Sequence, residues 1–463
     1  MELRIDRQAL VPVVQQIVDA LTGWIRQDAV QPGTRLPSVR QLARENLLSQ
    51  SSVSEACERL VAQGVLASRH GCRFFVAPAA GHVSSDRDRQ QDIPFILDGL
   101  LDSGAWELQL GCGGLPESWR ESDDLGYAIR QVTRTDMAGL FNYSTPLGLP
   151  ALREQLSRRL KQFNIEAEPD RILTSTGATH GLDLIVRTLL RPGCCVVVES
   201  PGHANLFDLL RLHGIDMLEL PRTPSGPDVD ALQRLLETHR PSALFVNSVC
   251  HNPTGSSLAP AVAQRLLQLT KKHALLVIED DVYADLQSSP RIRLAALDAD
   301  VVYVGSFSKT LSSSLRVGFV VAPRSVIARL SRAKEITSMG GSRFCESVLA
   351  TLLANGAYRK LVQRQRQRLG GDRVAVLQVL EDADWQVFGK PAGGMFIWAR
   401  SPFCDYAGLQ RLAKRFGVRL SSRTAFSPSG AESDWLRINV AYAHDPRALA
   451  FFRATALDRL PVS

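Results

Sequence analysis

The sequence predicts a multidomain α+β chain: an N-terminal winged helix-turn-helix, then a large α/β domain, then a smaller α/β part at the C-terminal end. Three observations predict it. The first 76 residues read as three amphipathic helices and a hairpin. Between about 170 and 325, short β-rich runs alternate with helical stretches, the pattern of a mostly parallel sheet covered by helices. At 463 residues the chain is too long for one ordinary domain.

In the N-terminal segment Val14, Ile17, Leu21, Trp24 and Ile25 recur at helical spacing and define a first helix, which stops before Gln31-Pro-Gly33. Ser38 with Gln41 three residues on forms a capping-box pattern for a second helix, whose apolar face is Leu42 and Ala43. Asn46-Leu-Leu-Ser49 leads to a third helix with Val53, Ala56, Cys57, Leu60 and Val61 toward its core and Gly64 at its end. Val65-Leu66 and Phe74-Phe75-Val76 then read as strands around Arg69-His70-Gly71. The outer face of the third helix is polar (Ser49, Gln50, Ser51, Ser52, Ser54, Arg59), suited to a major groove. Arg40 and the hairpin residues Arg69, Gly71 and Arg73 are positioned for phosphates or a minor groove. Charge alone does not argue for DNA here, since the first 80 residues hold nine arginines, no lysine and seven acids. The motif does.

Gly33-x-x-Leu36-Pro37-Ser38-x-Arg40-x-Leu42-Ala43, with Val53, Leu60 and Gly64, resembles the GntR-type winged-helix family over residues 8–76. That resemblance implies binding to double-stranded DNA. The chain departs from the family pattern at Leu47, where the turn often has glycine, at Gln50, where arginine often opens the recognition helix, and at Arg73, in place of a wing glycine. The operator sequence therefore cannot be transferred. Residues 77–93 are small, polar and charged without apolar periodicity, and read as a short linker.

In the large domain the strand candidates are Val196–Glu199, Ala243–Val246, Leu275–Glu279, Val301–Val304 and Gly318–Val321. Ligands in such sheets collect at the carboxyl ends of strands, and the chemically suggestive residues fall there. Lys309, in Ser306-Phe-Ser-Lys309, can form an imine with an aldehyde cofactor, and the two serines can bind an attached phosphate. Asp280 can keep a pyridine nitrogen protonated; Tyr283 and Asn252, the latter in Asn252-Pro-Thr-Gly255, can hydrogen-bond a ring hydroxyl. Gly177, Ala178 and Thr179 precede a helical run from Gly181 to Leu190 and offer backbone amides to a phosphate. Arg316 is a fixed positive partner for that phosphate, and Arg437 can fork onto a ligand carboxylate. Taken singly each has a plainer reading: an exposed loop lysine, a strand-end turn, a surface ion pair. Their joint order is what carries the inference.

That ordered set resembles the fold-type I aminotransferases over about residues 95–463, which implies pyridoxal 5'-phosphate (PLP) on Lys309 as an aldimine. It also implies that Tyr143 serves the neighbouring subunit's phosphate, and hence a dimer with shared sites. His203 stands where the family usually stacks a larger aromatic on the ring; it reads either as that stacking group or as a loop histidine. The large part is expected over about 145–335 and the small part over about 94–144 and 336–463. A GntR-type reader joined to such a domain resembles the MocR family of regulators from end to end. The resemblance implies a domain-swapped homodimer whose PLP domain senses an amino acid, an amine or PLP itself. Because Lys309, Asp280, Tyr283 and Arg437 are all retained, a working aminotransferase with an accessory DNA-binding head is the alternative.

Composition narrows the setting. Hydrophobic residues make up 45% and charged ones 22%, so a sizeable core is available and a disordered chain is excluded. A net charge of +7 fits nucleic-acid binding without demanding it. No apolar run approaches the ~20 residues of a membrane span. The N-terminus lacks a secretory stretch, so a cytoplasmic protein is expected. The eight cysteines, at 57, 72, 112, 194, 195, 250, 345 and 404, show no zinc spacing; they read as reduced, mostly buried small hydrophobes, and no metal is expected.

Overall fold

The computed structural model describes residues 12–27, 36–62, 65–69, 73–76, 108–120, 122–403 and 405–457, with positions 3, 5, 30 and 34. The chain divides into two compact units, Met1–Gln91 and Asp92–Ser463. The linker at 77–93, together with His70, Gly71, Cys72 and Cys404, lies outside the described residues, as do the side chains of Arg69 and Arg73.

The first unit is a winged helix. Helices α1 (Val13–Gln27), α2 (Val39–Glu45) and α3 (Gln50–Ala62) enclose Ile17, Leu21, Leu42, Val53, Ala56 and Leu60. The hairpin β1 (Leu66–Arg69) and β2 (Arg73–Val76) pairs Leu66 with Val76 and adds Leu66, Phe74 and Val76 to that core. Leu36 N donates to Phe74 O and Val76 N to Thr34 O, so the segment before α2 runs beside β2. The expected capping box closes only halfway. Ser38 Oγ accepts from Gln41 N at 3.2 Å, whereas the Gln41 side chain turns to Glu45 Oε1 at 2.8 Å. Ser49 caps α3 by accepting from Ser52 N at 3.0 Å.

Leu47, in the turn between α2 and α3, sits at φ +52° and is 80% exposed. A left-handed backbone costs a residue with a β-carbon about 1–2 kcal/mol, and this side chain recovers little by packing. Leu47→Gly relieves that strain but adds about 0.5–1 kcal/mol of unfolded-chain freedom. From the middle of these ranges the expected net gain is about 0.7 kcal/mol, read as a higher urea midpoint for the winged-helix transition; an unchanged or lower midpoint refutes it.

The second unit is built on an eight-stranded sheet. After β3 (Leu108–Gln109), its strands are β4 (Ile172–Ser175), β5 (Cys195–Ser200), β6 (Asp216–Thr223), β7 (Gly226–Pro227), β8 (Ala243–Val246), β9 (Leu276–Asp280), β10 (Val302–Ser306) and β11 (Gly318–Val321). Their spatial order is β4-β11-β10-β9-β8-β5-β6-β7. Only β11 and the short β7 run against the rest. Val196 and Val198 of β5 pack with Leu182 and Ile185 on one face, and Val197 with Leu232 and Leu266 on the other. Covering both faces is why these strands read as unbroken apolar runs. Three expected strands end elsewhere than predicted: β5 adds Cys195 and Ser200, β9 runs Leu276–Asp280, and β10 runs Val302–Ser306. Three strands of this sheet were not expected, β4, β6 and the two-residue β7. β4 ends in Thr174-Ser175, and β6, near the sheet edge, interleaves Asp216, Glu219 and Arg222 with its apolar residues.

A smaller antiparallel sheet of β12 (Gln386–Val387), β13 (Phe396–Arg400) and β15 (Trp435–Asn439) packs against the 26-residue helix Ala357–Asp382. β14 (Val418–Arg419) pairs in parallel with β3, tying residues 108–109 to the C-terminal part. Among the described cysteines Cys57 and Cys250 are buried, but Cys112, Cys194, Cys195 and Cys345 are only partly so, correcting the expectation of mostly buried thiols. No group of metal-ligating side chains occurs among the described residues, and no described helix is long and apolar enough to cross a membrane.

Candidate functional site

The carboxyl ends of the parallel strands converge. β9 delivers Asp280, β10 delivers Ser306 and then Lys309, and the loop after β8 delivers Asn252. Strand β4 leads into the helix Gly177–Leu189. Gly177, Ala178 and Thr179 therefore form the first turn of that helix rather than precede it, a correction that leaves their amides at its free N-terminus.

Lys309 Nζ donates to Gly113 O at 2.9 Å and lies 5.9 Å from the Tyr283 ring centre. Burial, and then the Arg437 charge, lower its pKa from 10.5 to about 8. Tyr283 is 3% exposed, packs edge-on against Phe396 at 5.3 Å, and has its phenol pushed well up by burial. Val282 N donates to Asp280 Oδ1 at 3.3 Å, and His203 Nδ1 stands 3.7 Å from Asp280 Oδ2. His203 thus ends a loop at the N-cap of the helix Ala204–Leu212, with its ring beside the aspartate.

Arg437 is buried, which excludes the surface ion pair. Its Nη1 donates to Asn252 Oδ1 at 2.7 Å, and Nε and Nη2 donate to Gly111 O at 3.1 and 2.7 Å. The guanidinium lies over the rings of Phe396 and Phe426 at 4.7 and 4.8 Å, and burial lowers its pKa.

The phosphate cradle is built by close approach. Gly177 has φ +78°, and a β-carbon on it would fall 2.6 Å from Arg316 Nη2. Arg316 Nη2 donates to Thr176 O at 3.3 Å, and Nη1 to Ser308 Oγ at 3.5 Å. Ser308 N donates to Ser306 Oγ at 3.2 Å. Helix amides, two hydroxyls and a guanidinium around a space that only glycine leaves open suit a phosphate monoester. With a half-buried lysine amine and a carboxylate beyond it, the residues present fit PLP.

Behind these groups lies a layer that sequence reasoning missed. Arg222 and Glu199 form a buried pair at 2.5 Å. Asn247 N donates to Glu199 Oε2 at 2.7 Å, and its side-chain amide bonds Asp280 O at 2.8 Å, while Asn252 N donates to Asn247 Oδ1 at 2.8 Å. His251 is buried 3.6 Å from Glu199; burial and then the Arg222 charge hold its pKa well below 6.5. Tyr143 lies apart from this constellation, 81% exposed. In the winged helix Arg40, Ser49, Gln50 and Ser51 are exposed and Ser52 partly so, but Ser49 is occupied in capping α3 and contacts the hydroxyls of Ser51 and Ser52 at 2.9 and 2.7 Å.

Fold and site together define a PLP-dependent enzyme-like domain that shares its chain with a winged helix. The chain belongs to the family "Aminotransferase class I and II", which it matches over residues 108–450, and residues 13–76 match "Bacterial regulatory proteins, gntR family". It is 28% identical to an uncharacterized HTH-type transcriptional regulator, YisV, of Bacillus subtilis (strain 168), over 85% of each chain. It is 26% identical to the probable rhizopine catabolism regulatory protein MocR of Rhizobium meliloti, over 90% of this chain and 88% of that one. It is also 30% identical to a 2-aminoadipate transaminase of Thermus thermophilus, over 71% of this chain and 84% of the transaminase. Among solved structures, kynurenine aminotransferase of Pyrococcus horikoshii superposes with a TM-score of 0.73 at 25% identity, covering 80% of this chain and 95% of that one. The layout is that of the MocR-like regulators, and PLP is the cofactor of the aminotransferase domain's family.

Proposed function

We propose that this regulator binds an operator through residues 13–76 and senses an amino acid or amine through its PLP domain, as a domain-swapped homodimer in the cytoplasm. The observation that carries the reading is the pairing of Lys309 with Arg437: a β-carbon placed on Gly113 would lie 3.7 Å from Lys309 Nζ and 3.6 Å from Arg437 Nη2. An amine-reactive centre and a carboxylate fork thus share one wall.

Bound PLP supplies an aldehyde that condenses with primary amines and a ring that withdraws electrons. The residues do the rest. Lys309 would hold the cofactor through its side-chain amine, at the place where a ligand amine would compete for it. Asp280 keeps a proton on the pyridine nitrogen, with His203 beside it. Tyr283 and Asn252 bind the ring hydroxyl; Ser306, Arg316 and the amides of Gly177, Ala178 and Thr179 hold the phosphate. Tyr143 offers its exposed phenol to the partner's phosphate. Arg437 takes the ligand carboxylate, with Asn252 steering the guanidinium. Ligand contact across the large part, about 145–335, and the small part, about 94–144 and 336–463, favours one arrangement of the two, and the 77–93 linker passes that preference to the winged helices.

Operator affinity measured with and without PLP, and with a panel of amino acids and amines, tests this directly. At least one amine is expected to change it by fivefold or more, on the order of usual coupling energies. Indifference to PLP and to every amine refutes the switch. The second reading, a working aminotransferase, is favoured by the lysine amine lowered to about 8 beside an intact Asp280 and Tyr283. Multiple turnover with a keto acid supports it.

A further inference from the structure

Arg120 is a second guanidinium at the ligand site, and neither the fold nor the Lys309–Arg437 pair accounts for it. Its backbone is fixed by the single 3₁₀ turn Glu117–Trp119, in which Arg120 N donates to Glu117 O at 2.9 Å. Buried Trp119, capped by the Arg368 guanidinium at 4.3 Å, anchors that turn in the core. The side chain reaches across to the loop that follows Lys309. There Nη1 is 3.5 Å from Ser313 Oγ, and Nη2 is 3.4 Å from Leu115 O. Both bonds are long, and among the described residues no carboxylate pairs with Arg120.

Two consecutive glycines join it to the reactive lysine. The nearest neighbours of a β-carbon on Gly113 would be Lys309 and Arg437, and one on Gly114 would meet Arg120 Nη2 at 3.9 Å. Neither glycine has a positive φ, so space rather than backbone conformation is what the missing side chains leave. Asn439 Nδ2 donates to the carbonyls of Cys112 and Gly114 at 2.8 and 2.7 Å, which holds this strip in place. Taken through these two adjacent glycines, Arg120 Nη2 lies within roughly 14 Å of Lys309 Nζ. One cation therefore stands with the lysine amine at Gly113, and another stands at the next residue, Gly114.

We propose that Arg120 binds a second anionic group on the ligand, so that the effector is an amino acid with a side-chain carboxylate. This rests on the reading that an amine enters at Lys309. Arg437 takes the α-carboxylate, and the glycine strip accommodates the methylene spacer. The distal carboxylate forms charge-assisted bonds with Arg120 in place of its weak contacts to Ser313 and Leu115.

The test is an absorbance titration of the full-length PLP-loaded protein with L-aspartate, L-glutamate, L-2-aminoadipate, L-glutamine and L-norleucine. At least one dicarboxylic member is expected to bind about tenfold or more tighter than norleucine, the size of one charge-assisted contact. In Arg120→Gln that preference disappears while norleucine binding and PLP absorbance are kept; Arg120→Lys restores part of it. Equal affinity for norleucine and all three dicarboxylic ligands in the wild type overturns the proposal. An Arg120→Gln variant that keeps the preference, or that weakens every ligand alike, also overturns it, the latter by assigning Arg120 a structural role. If no amine of any kind perturbs the spectrum, the sensing reading itself falls, and this proposal with it.

Discussion

Lys309→Ala is expected to abolish the visible absorbance of the lysine-bound cofactor and any transamination, and to leave operator binding unresponsive to amines. Borohydride reduction of the wild type should add one phosphopyridoxyl mass per chain, and reduction of the variant none. Operator affinity without ligand is retained, because residues 13–76 carry their own core around Ile17, Leu42 and Leu60. An amine response that survives in the variant would place the sensor elsewhere. The rate of cofactor loading carries the same chemistry in its pH dependence. Only the neutral amine attacks an aldehyde, and Lys309 is lowered from 10.5 to about 8, first by burial and then by Arg437. Loading should therefore speed up about tenfold per pH unit below that value and level off above it. Arg437→Met removes one depressing charge, so the break should move to higher pH.

How much of this was legible in the sequence follows from which forces act locally. Lys309, Asp280, Asn252 and Gly177 lie within a few residues of strand ends, and turn chemistry marks strand ends in a linear chain. The helices of the winged unit were legible because one apolar face repeats at helical period. The Glu199–Arg222–Asn247 layer was not. Its members sit on β5, on β6 and just after β8, and they meet only because those strands are neighbours in the sheet. Strand β6 itself hid behind its charged residues; Arg222 is on it because a buried carboxylate waits next door. Gly113 escaped for another reason. It contributes a carbonyl and an absent side chain, and neither has a sequence signature. Leu47 shows the converse: the departure from the family turn was visible in the sequence, but its left-handed backbone was not.

The second large effect is expected at Glu346, which is not among the residues proposed to touch the cofactor. Its carboxylate is 3% exposed on the helix Arg343–Ala354. Oε2 accepts from Ser144 Oγ at 3.0 Å and from Leu149 N at 2.6 Å, and Oε1 accepts from Thr174 Oγ1 at 2.6 Å. Thr174 in turn accepts from Lys334 Nζ at 3.2 Å, a fully buried lysine whose pKa burial lowers to about 8 while Glu346 pulls it up. Glu346→Ala removes the compensating charge and three acceptor contacts together. Leaving a buried donor unsatisfied costs about 1–3 kcal/mol, and Ser144, Leu149 and Thr174 all lose their acceptor, so the urea midpoint of the large unit should fall steeply. Adding Lys334→Met to Glu346→Gln should recover much of the loss, since it removes the stranded charge and leaves the acceptor nearly isosteric. A double variant no more stable than Glu346→Ala would show that hydrogen bonding, not charge, dominates the cluster. The cost should also reach the cofactor. Ser144 follows Tyr143, and Thr174 lies three residues before Gly177, so one carboxylate fixes both the loop proposed to serve a partner subunit and the strand that leads to the proposed phosphate site. Glu346→Gln should keep the fold yet weaken PLP retention on dilution, and in a Tyr143→Phe background the further weakening should shrink if the carboxylate acts through that loop.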